Sequence, residues 1–267
     1  GGYPVSFTAD NGASVVSSAV TGTDGSVTVA VTAVTAGTVN VTASTSSTSG
    51  GTVTLKNTVT FVADTATAKV AAFTVAADKA YADGTDKNSL KVTVTDANGN
   101  ALSGITVTLA ATNGAVIGSS VTSGSDGSAA VTLTNTTAGV STVTATVGGV
   151  STTREVNFIT PLSSSLSGIT ATPSAIEADG ETASAVTLTL KTTGGEAVSD
   201  AAVSFVSSLK GVDIGSVTNK GDGTYTASLT TLAAGDIRVS AVINGRVRNI
   251  TPAVITASGD EGDISIT

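Results

Sequence analysis

The sequence lacks cysteine, histidine, tryptophan and methionine, and only 3% of its 267 residues are aromatic. Both a cytosolic protein and a surface protein that crosses an oxidising compartment can lack cysteine, so this absence leaves the location open. Without disulfides, every folded domain must depend on apolar packing alone. The long helix formers leucine, glutamate and lysine are scarce, whereas threonine, valine, glycine and serine are abundant. Because these residues favour strands and turns, the composition predicts an all-β protein.

Long basic and long apolar runs are also missing. The net charge is −8 and no run of lysine and arginine occurs, which argues against nucleic acid as a partner. No apolar stretch reaches the length of a membrane span, and no signal peptide opens the sequence. The first residues, GGYPVSF, are typical of the middle of a domain. We therefore expect a soluble fragment of a longer protein.

A strand–turn–strand pattern is the clearest local signal. Residues 89–95 (SLKVTVT) alternate between apolar and polar types, as in a strand with one buried face. Asp96–Asn100 follows, and its Asp, Asn and Gly residues favour a turn. A second alternating run occupies Ile105–Leu109, and the whole pattern recurs at Val186–Phe205. The sequence therefore predicts repeated units of short strands.

An Asp-Gly turn followed by a strand occurs three times and sets the length of the repeat. Its aspartates are Asp24, Asp126 and Asp222, which are 102 and 96 positions apart. A period near 100 residues filled with short strands is typical of an immunoglobulin-like sandwich. In the second copy we expect seven strands, near residues 70–77, 89–96, 105–111, 115–118, 128–134, 141–148 and 153–160.

The fold class that follows is all-β, with tandem immunoglobulin-like β-sandwich domains forming an elongated rod. We name the expected domains repeat 1 (1–65), repeat 2 (66–161) and repeat 3 (162–258); residues 259–267 are a linker or the start of a further domain. Each repeat should bury one face of its alternating strands. The expected inward residues are Leu90, Val92, Val94, Val107, Leu109, Val131, Leu133, Val143, Ala145, Val147 and Phe158, then Val186, Leu188, Leu190, Val203, Phe205, Tyr225, Leu229, Ile237, Val239 and Ala241.

Repeat 1 is expected to be partial, because nothing in it corresponds to the opening strands of repeat 2. Its first strand, near Tyr3–Ala9, matches the run that begins at Ile105. A sandwich without its opening strands leaves apolar area wet, at about 25 cal/mol per Å². We therefore expect repeat 1 to be the least stable, with its Val27–Val31 and Val39–Val41 strands still paired.

These motifs resemble the bacterial Ig-like domain, group 1, of intimin- and invasin-type adhesins. The resemblance rests on Ala82-Asp83-Gly84 before an alternating strand, on the turn TDANGNALSG, and on the later Asp-Gly and Ala-Gly turns. It covers the whole chain, with repeat 2 the nearest match. Repeat 3 departs from it, with Thr193-Gly194-Gly195-Glu196 in place of the Asp-Ala-Asn-Gly turn.

The resemblance implies a passenger segment of a cell-surface adhesin whose parent protein is anchored in a bacterial outer membrane. Such a segment would act as a stalk that mediates attachment to host cells. The alternative is a module that itself binds a host-cell surface protein or glycan, by a basic patch or by an exposed strand edge that recruits an extended peptide. We expect a monomer, because Lys, Asp and Thr at outward positions discourage pairing of strand edges.

No catalytic residues, cofactor or metal site is expected, and the chain is not predicted to be an enzyme. Hydroxyl side chains are plentiful, but a base to activate them is missing. Carboxylates at turns are the remaining candidates, and solvated turn formation is the favoured interpretation. Structural calcium is the weaker alternative, with Asp64 and Asp78 near one domain boundary and Glu177 and Asp179 near the next.

Arg238, Arg246 and Arg248 form the one notable basic cluster and are the candidate ligand-binding residues. Alternation places Arg246 and Arg248 on the same face of a strand. Pairing with acids of repeat 3, or exposure on a solvated face, is the favoured interpretation. A docking patch for an acidic glycan or a host protein remains open, since charges at a rim mainly steer encounter.

Overall fold

The structure is a computed structural model, and it describes residues 1–259. Within them the regular elements are β-strands, apart from one 3₁₀ turn at Thr65–Thr67. This confirms the all-β class. Residues 260–267, most of the expected linker or further domain, lie outside the described residues.

The strands are numbered here in chain order. Those of residues 1–65 are β1 Pro4–Ala9, β2 Ser14–Val15, β3 Ser18–Val20, β4 Val31–Thr32, β5 Gly37–Ser46 and β6 Thr52–Phe61. The next are β7 Lys69–Ala77, β8 Ala80–Tyr81, β9 Asn88–Thr95, β10 Thr106–Ala111, β11 Val116–Ile117, β12 Ser120–Thr122, β13 Ser128–Thr134, β14 Gly139–Val147 and β15 Val150–Ile159. The last are β16 Gly168–Thr172, β17 Ala175–Glu177, β18 Ser184–Thr189, β19 Val203–Ser207, β20 Val212–Ile214, β21 Thr218–Asn219, β22 Thr224–Thr231, β23 Gly235–Ile243, β24 Arg246–Val247 and β25 Ala253–Ser258.

The chain divides into two compact units that cut across the expected repeats. The first consists of Gly1–Ala77, Lys87–Thr134 and Val140–Val156. The second consists of Asp78–Asp86, Asn135–Gly139 and the residues from Asn157 onward.

In the first compact unit, residues 1–65 form a four-stranded sheet in the order β3-β1-β5-β6 and a separate two-stranded ladder, β2-β4. The long hairpin β5–β6 pairs in register from Gly37 with Phe61 to Ser46 with Thr52. The buried apolar side chains of this region are Phe7 and Val39, whereas many of its valines are exposed. Residues 1–65 therefore have little core of their own.

One strand expected in repeat 1 is largely missing. Of the expected strand Val27–Val31, only Val31 lies in a strand. That strand is β4 (Val31–Thr32), which pairs with β2 (Ser14–Val15). No strand among residues 1–259 pairs with residues 26–30, so the prediction for Val27–Val31 is wrong over most of its length. The equivalent strand β13 of repeat 2 pairs with β9, and repeat 1 has no counterpart of β9. The prediction for Val39–Val41 is confirmed, because these residues pair with β6.

The rest of the first compact unit has two sheets. One has the order β11-β13-β9-β7, and the other contains β12-β10-β14-β15. All seven strands expected for repeat 2 are present within three residues of their expected bounds, while the short strands β8 and β12 were not anticipated. All the inward residues expected for repeat 2 are buried, and so are four apolar residues that were not expected, Phe73, Ala80, Leu102 and Val156.

The second compact unit is built around two sheets of repeat 3. One has the order β16-β18-β22-β20 and the other β17-β25-β23-β19, with β21 and β24 added to β22 and β23. Side chains of both sheets form one core, which includes Leu188, Tyr225 and Ile237. Val203 and Phe205, expected to be inward, are half-buried and pack against this core. The end of β15 also belongs to this unit, where Phe158 pairs in parallel with Ala80 of β8.

Candidate functional site

The three arginines singled out in the sequence do not form one patch. Arg246 begins β24, which pairs with the end of β23 after a tight turn at Asn244 and Gly245, both at positive φ. Arg248 follows one residue after β24. Both of these side chains reach Asp86, whereas Arg238 lies on the exposed face of β23 and does not contact Asp86.

Asp86, Arg246 and Arg248 form a group that we call the arginine clamp. Arg248 Nη1 lies 2.8 Å from Asp86 Oδ2, and Arg246 Nη1 lies 3.2 Å from Asp86 Oδ1. The side chains of the three residues are 11–22% exposed. The pairing expected with acids of repeat 3 is wrong in its partner, because Asp86 precedes Arg248 by 162 positions. Alternation along a strand predicts the face of a residue but not its distant partner.

The arginine clamp also binds backbone and aromatic groups of residues 78–81. Arg246 Nε donates to the carbonyl oxygen of Asp78 at 2.8 Å, and Arg248 Nη2 donates to that of Lys79 at 3.0 Å. The guanidinium carbon of Arg248 lies 3.7 Å from the ring centroid of Tyr81, which is a cation–π contact. These contacts fix the segment Asp78–Asp86 against the hairpin β23–β24.

The surroundings of Asp86 favour its ionised form. Burial by itself raises the pKa of the Asp86 carboxyl, but the N–H of Tyr81 and the two arginines lower it more. The N–H of Tyr81 donates to Asp86 Oδ2 at 2.8 Å. The net result is a pKa below the ordinary value of 3.8. Burial raises the pKa of the Tyr81 phenol above its ordinary value of 10.0, although the charge of Arg248 opposes the shift.

A shallow groove of about 260 Å³ lies in the same compact unit. Its lining includes the buried Phe158 and Leu162, together with the charged Lys79, Glu196 and Asp200. Lys79 adopts a positive φ of 60°, and the clamp holds its carbonyl group.

The Asp-Gly turns that set the repeat are local structures, as the sequence predicts. Asp24 accepts hydrogen bonds from the N–H and hydroxyl of Ser26 at 3.0 and 2.7 Å. Asp126 does the same with Ser128, and Asp222 with Thr224. In each turn these hydrogen bonds lower the pKa of the aspartate.

Three of the four carboxylates considered for calcium accept backbone hydrogen bonds. Asp64 accepts from the N–H of Ala66, and Asp179 accepts from those of Glu181 and Thr182. Asp78 accepts from the N–H groups of Lys79 and Asn157. Residues 1–259 contain no group of three or more metal-binding side chains. In the same part of the chain, no helix has the length and apolar character needed to span a membrane.

Sequence reasoning missed Tyr81 and Asp86 as partners of the arginines. The sequence places Ala82-Asp83-Gly84 before an alternating strand, and in the structure Asp83 forms a turn, accepting from the N–H groups of Thr85 and Asp86. The aromatic residue and the acid that flank this turn were the available signal. Their connection to β24 depends on the tertiary structure.

Two family models match this chain in sequence. Residues 70–159 match the bacterial Ig-like domain (group 1), and residues 163–259 match domain 3 of invasin. The two matches follow one another and together take in more than half of the chain.

Similar solved structures include three adhesins. Invasin, described as a bacterial integrin-binding protein, is 33% identical over 71% of this chain and 39% of its own, with a TM-score of 0.37. The Escherichia coli adhesin FdeC is 24% identical over 97% of this chain and 87% of its own, with a TM-score of 0.45. The D0–D1 fragment of intimin is 26% identical over 71% of this chain and 96% of its own, with a TM-score of 0.35. The present chain thus spans about two fifths of the invasin chain. From the two consecutive sequence matches, we conclude that the chain belongs to the intimin and invasin family of tandem bacterial Ig-like domains.

Proposed function

We propose that this chain is a stalk segment of a bacterial cell-surface adhesin that attaches bacteria to host cells. The observation that carries the proposal is the pair of consecutive family matches, to a bacterial Ig-like domain and then to invasin domain 3. The parent protein is anchored in an outer membrane by parts outside this chain. Its partner is a protein or glycan of the host-cell surface.

The arginine clamp supports a structural role. Asp86 lies within the first family match, and Arg246 and Arg248 lie within the second. A stalk needs successive domains that are tied to each other by more than a peptide linker. Two partly buried guanidinium groups that share one carboxylate form a specific connection of this kind.

The stalk proposal is tested by exchanging the chain within a displayed adhesin. Bacteria would display a known host-binding domain on this chain, on an equal number of unrelated Ig-like domains, or on no spacer. We expect equal attachment to cultured cells with either spacer and weaker attachment without one. Purified chain, added in excess, should leave attachment unchanged. If the purified chain blocks attachment, the stalk-only proposal fails.

A second candidate function is direct binding of a host ligand, and Arg238 is the residue that favours it. Its side chain is exposed and makes no hydrogen bond or ion pair with the described residues, whereas Arg246 and Arg248 are engaged in the clamp. Arg154 is a matched control, because it is also exposed and, within residues 1–259, its side chain donates only to the neighbouring Thr153 carbonyl. Binding of the purified chain to host cells that falls with Arg238→Ala and not with Arg154→Ala would support this function. Absence of binding would exclude it.

A further inference from the structure

The turn at residues 96–100 of repeat 2 contains a buried carboxylate, Asp96, which is 1% exposed. Its Oδ1 atom accepts from the N–H groups of Asn98 and Asn100, both at 2.9 Å. Its Oδ2 atom accepts from the side-chain Nδ2 of Asn100 at 2.8 Å and from the N–H of Asp64 at 3.1 Å. These hydrogen bonds, chiefly the one from the Asn100 side chain, hold the pKa of this carboxyl at about 2. Asp96 is therefore an ionised acceptor that fixes the position of the Asn100 side chain.

The Asn100 side chain connects this turn to the loop at residues 33–36 of repeat 1. Its Nδ2 donates to the Val34 carbonyl oxygen at 2.9 Å, and its Oδ1 accepts from the N–H of Ala36 at 2.9 Å. With the hydrogen bond to Asp96, both donor hydrogens and the oxygen of the amide are engaged. We call these contacts of Asn100 with Asp96, Val34 and Ala36 the asparagine bridge.

The asparagine bridge requires a side chain that donates from one atom and accepts at another. The amide has one orientation that fits, with Nδ2 toward Val34 and Oδ1 toward Ala36. The reverse orientation would place two donors together at Ala36, and the amide oxygen against the acceptors of Val34 and Asp96. A carboxylate at position 100 could accept from Ala36 but would have no hydrogen to donate. An amide of this length is therefore specifically suited to the bridge.

The asparagine bridge reaches the folded body of repeat 1 and not only the connecting segment. Two other hydrogen bonds of the turn go to Asp64 and Thr67, which lie between β6 and β7. Val34 and Ala36 lie instead between β4 and β5, and β5 is a central strand of the four-stranded sheet. The first pair of bonds thus holds the connection, whereas the bridge holds the sheet. All of these residues belong to the first compact unit.

The corresponding turn of repeat 3 has the same backbone geometry but a different side chain. The N–H of Thr192 donates to the Glu196 carbonyl at 2.8 Å, and that of Asp96 donates to the Asn100 carbonyl at 2.9 Å. Glu196 takes the place of Asn100, and a carboxylate cannot make both contacts of the bridge. Its side chain lines the groove that also contains Lys79. The bridge therefore depends on the residue at position 100 and not on the turn itself.

We propose that Asn100 is a positioning residue that fixes the sheet of repeat 1 against the 96–100 turn, so that residues 1–62 and 88–134 reorient as one body. Without the asparagine bridge, the connection through residues 63–68 remains, but the sheet of repeat 1 can change its orientation. The inference deepens the stalk proposal and rests on it for its use, because a stalk holds its ends apart only if successive repeats keep a fixed orientation. The contacts themselves are tested without any attachment assay.

The test compares variants of the full-length, ¹⁵N-labelled chain. Asn100→Asp keeps the shape of the side chain but removes both donated hydrogen bonds, and Asn100→Ala removes the amide without adding charge. Asn98→Asp is the matched control, because it makes the same change in the same turn at an exposed side chain. Amide hydrogen exchange at Ala36 should become about tenfold faster in both Asn100 variants, as expected for the loss of one or two hydrogen bonds. In Asn98→Asp it should not change.

Residual dipolar couplings measure whether the two repeats reorient together. In the unaltered chain and in Asn98→Asp, one alignment tensor should fit the amides of residues 1–62 and 88–134. In both Asn100 variants, the couplings of residues 1–62 should fall to about half or less relative to those of residues 88–134. Slow exchange within Gly37–Ser46 and Ser128–Thr134 would show that both repeats remain folded.

Three outcomes would overturn the proposal. Unchanged exchange at Ala36 in both Asn100 variants would mean that the asparagine bridge is not formed in solution. Faster exchange at Ala36 with a single alignment tensor would mean that other contacts fix the orientation. Loss of protection throughout Gly37–Ser46 in Asn100→Ala would show a role in folding instead of positioning. None of these results bears on the attachment assay, and failure of that assay would leave the bridge intact.

Discussion

Residues 21–32 of repeat 1 and residues 123–134 of repeat 2 start from nearly the same local sequence and end in different structures. Both contain an Asp-Gly turn in which the N–H of the serine two positions later donates to the aspartate carboxylate. The glycines have nearly the same φ, 80° at Gly25 and 78° at Gly127. Only residues 128–134 form a long strand after the turn.

The two segments differ in whether a neighbouring strand pairs with them: β9 pairs with β13, and no strand among residues 1–259 pairs with residues 26–30. Val131 is 1% exposed because β9 lies beside it, whereas its counterpart Val29 is half-buried. The comparison teaches that the turn is encoded locally, whereas the ladder exists only when a second strand completes it. Amphipathic sequence makes a segment able to pair, and a neighbouring strand satisfies its backbone groups.

The largest expected effect comes from substituting the two turn glycines. Gly127→Ala forces a Cβ atom to within 2.5 Å of a backbone oxygen, in addition to the strain of a positive φ. We expect it to lower the free energy of opening of β13 by about 3–4 kcal/mol, as strain and overpacking add. A Cβ atom on Gly25 would meet nothing within 4 Å, so Gly25→Ala carries the strain alone and should cost about 1 kcal/mol. Amide hydrogen exchange of each repeat measures both. Equal losses would mean that the space beside Gly25 is filled in solution.

Truncating matched valines sharpens the same comparison. Val131→Ala removes two buried methyl groups from a filled core and should destabilise repeat 2 by about 2 kcal/mol. Val29→Ala removes half-exposed methyl groups and should destabilise repeat 1 by less than about 1 kcal/mol. Urea unfolding monitored by NMR at resolved amides of each repeat gives both values. A cost at Val29 as large as that at Val131 would mean that Val29 is buried as deeply as Val131 in solution.

Two arginines extend the comparison from backbone partners to side-chain partners. Arg248→Ala breaks a partly buried ion pair and a cation–π contact, so it should cost about 2 kcal/mol in the opening of residues 78–86. Arg238→Ala alters an exposed side chain and should change stability by less than about 0.5 kcal/mol. Hydrogen exchange at residues 78–86 provides the measurement, and similar small effects of both variants would show that the clamp is not formed in solution.

The clamp should also respond to acid. The folded-state pKa of Asp86 lies below its ordinary value of 3.8. Its contribution is therefore present above about pH 4 and is lost as the pH falls through the folded-state pKa. In the Arg248→Ala variant, protection of residues 78–86 should depend less on pH in this range.

The smallest expected effect concerns the Asp-Gly turns themselves, which should behave alike in both repeats. Hydrogen bonds from Ser26 and Ser128 lower the pKa of Asp24 and Asp126 below 3.8. The stabilisation is present above that pH and is lost as pH falls through the lowered pKa. NMR titration should find both pKa values lowered, and Asp24→Asn and Asp126→Asn should have equally small effects. A normal pKa at Asp24 alone would mean that this turn forms fully only where a strand equivalent to β9 lies beside it, as in repeat 2.

How far the sequence predicts this molecule depends on the distance over which each feature is encoded. Every residue that alternation placed inward in repeat 2 is buried, because side chains of a strand point to opposite faces in turn. Alternation missed other buried residues of that repeat, such as Phe73 and Leu102. Alternation also predicted that Val203 and Phe205 are buried, but both are only half-buried. The pattern identifies the inward face of a strand, not how completely other residues cover that face. The basic cluster was recognised as unusual, but its division into an exposed Arg238 and an engaged pair could not be predicted.

The sequence by itself determined the all-β class, the length of the repeat, the Asp-Gly turns and the alternating strands, because each depends on residues a few positions apart. The tertiary structure alone decided that residues 26–30 remain unpaired, that Phe158 pairs with Ala80, and that Arg246 and Arg248 bind Asp86. These features join residues that are distant in the chain. Local propensity does not encode such pairings, since they form only when folding brings complementary groups together and excludes water from between them.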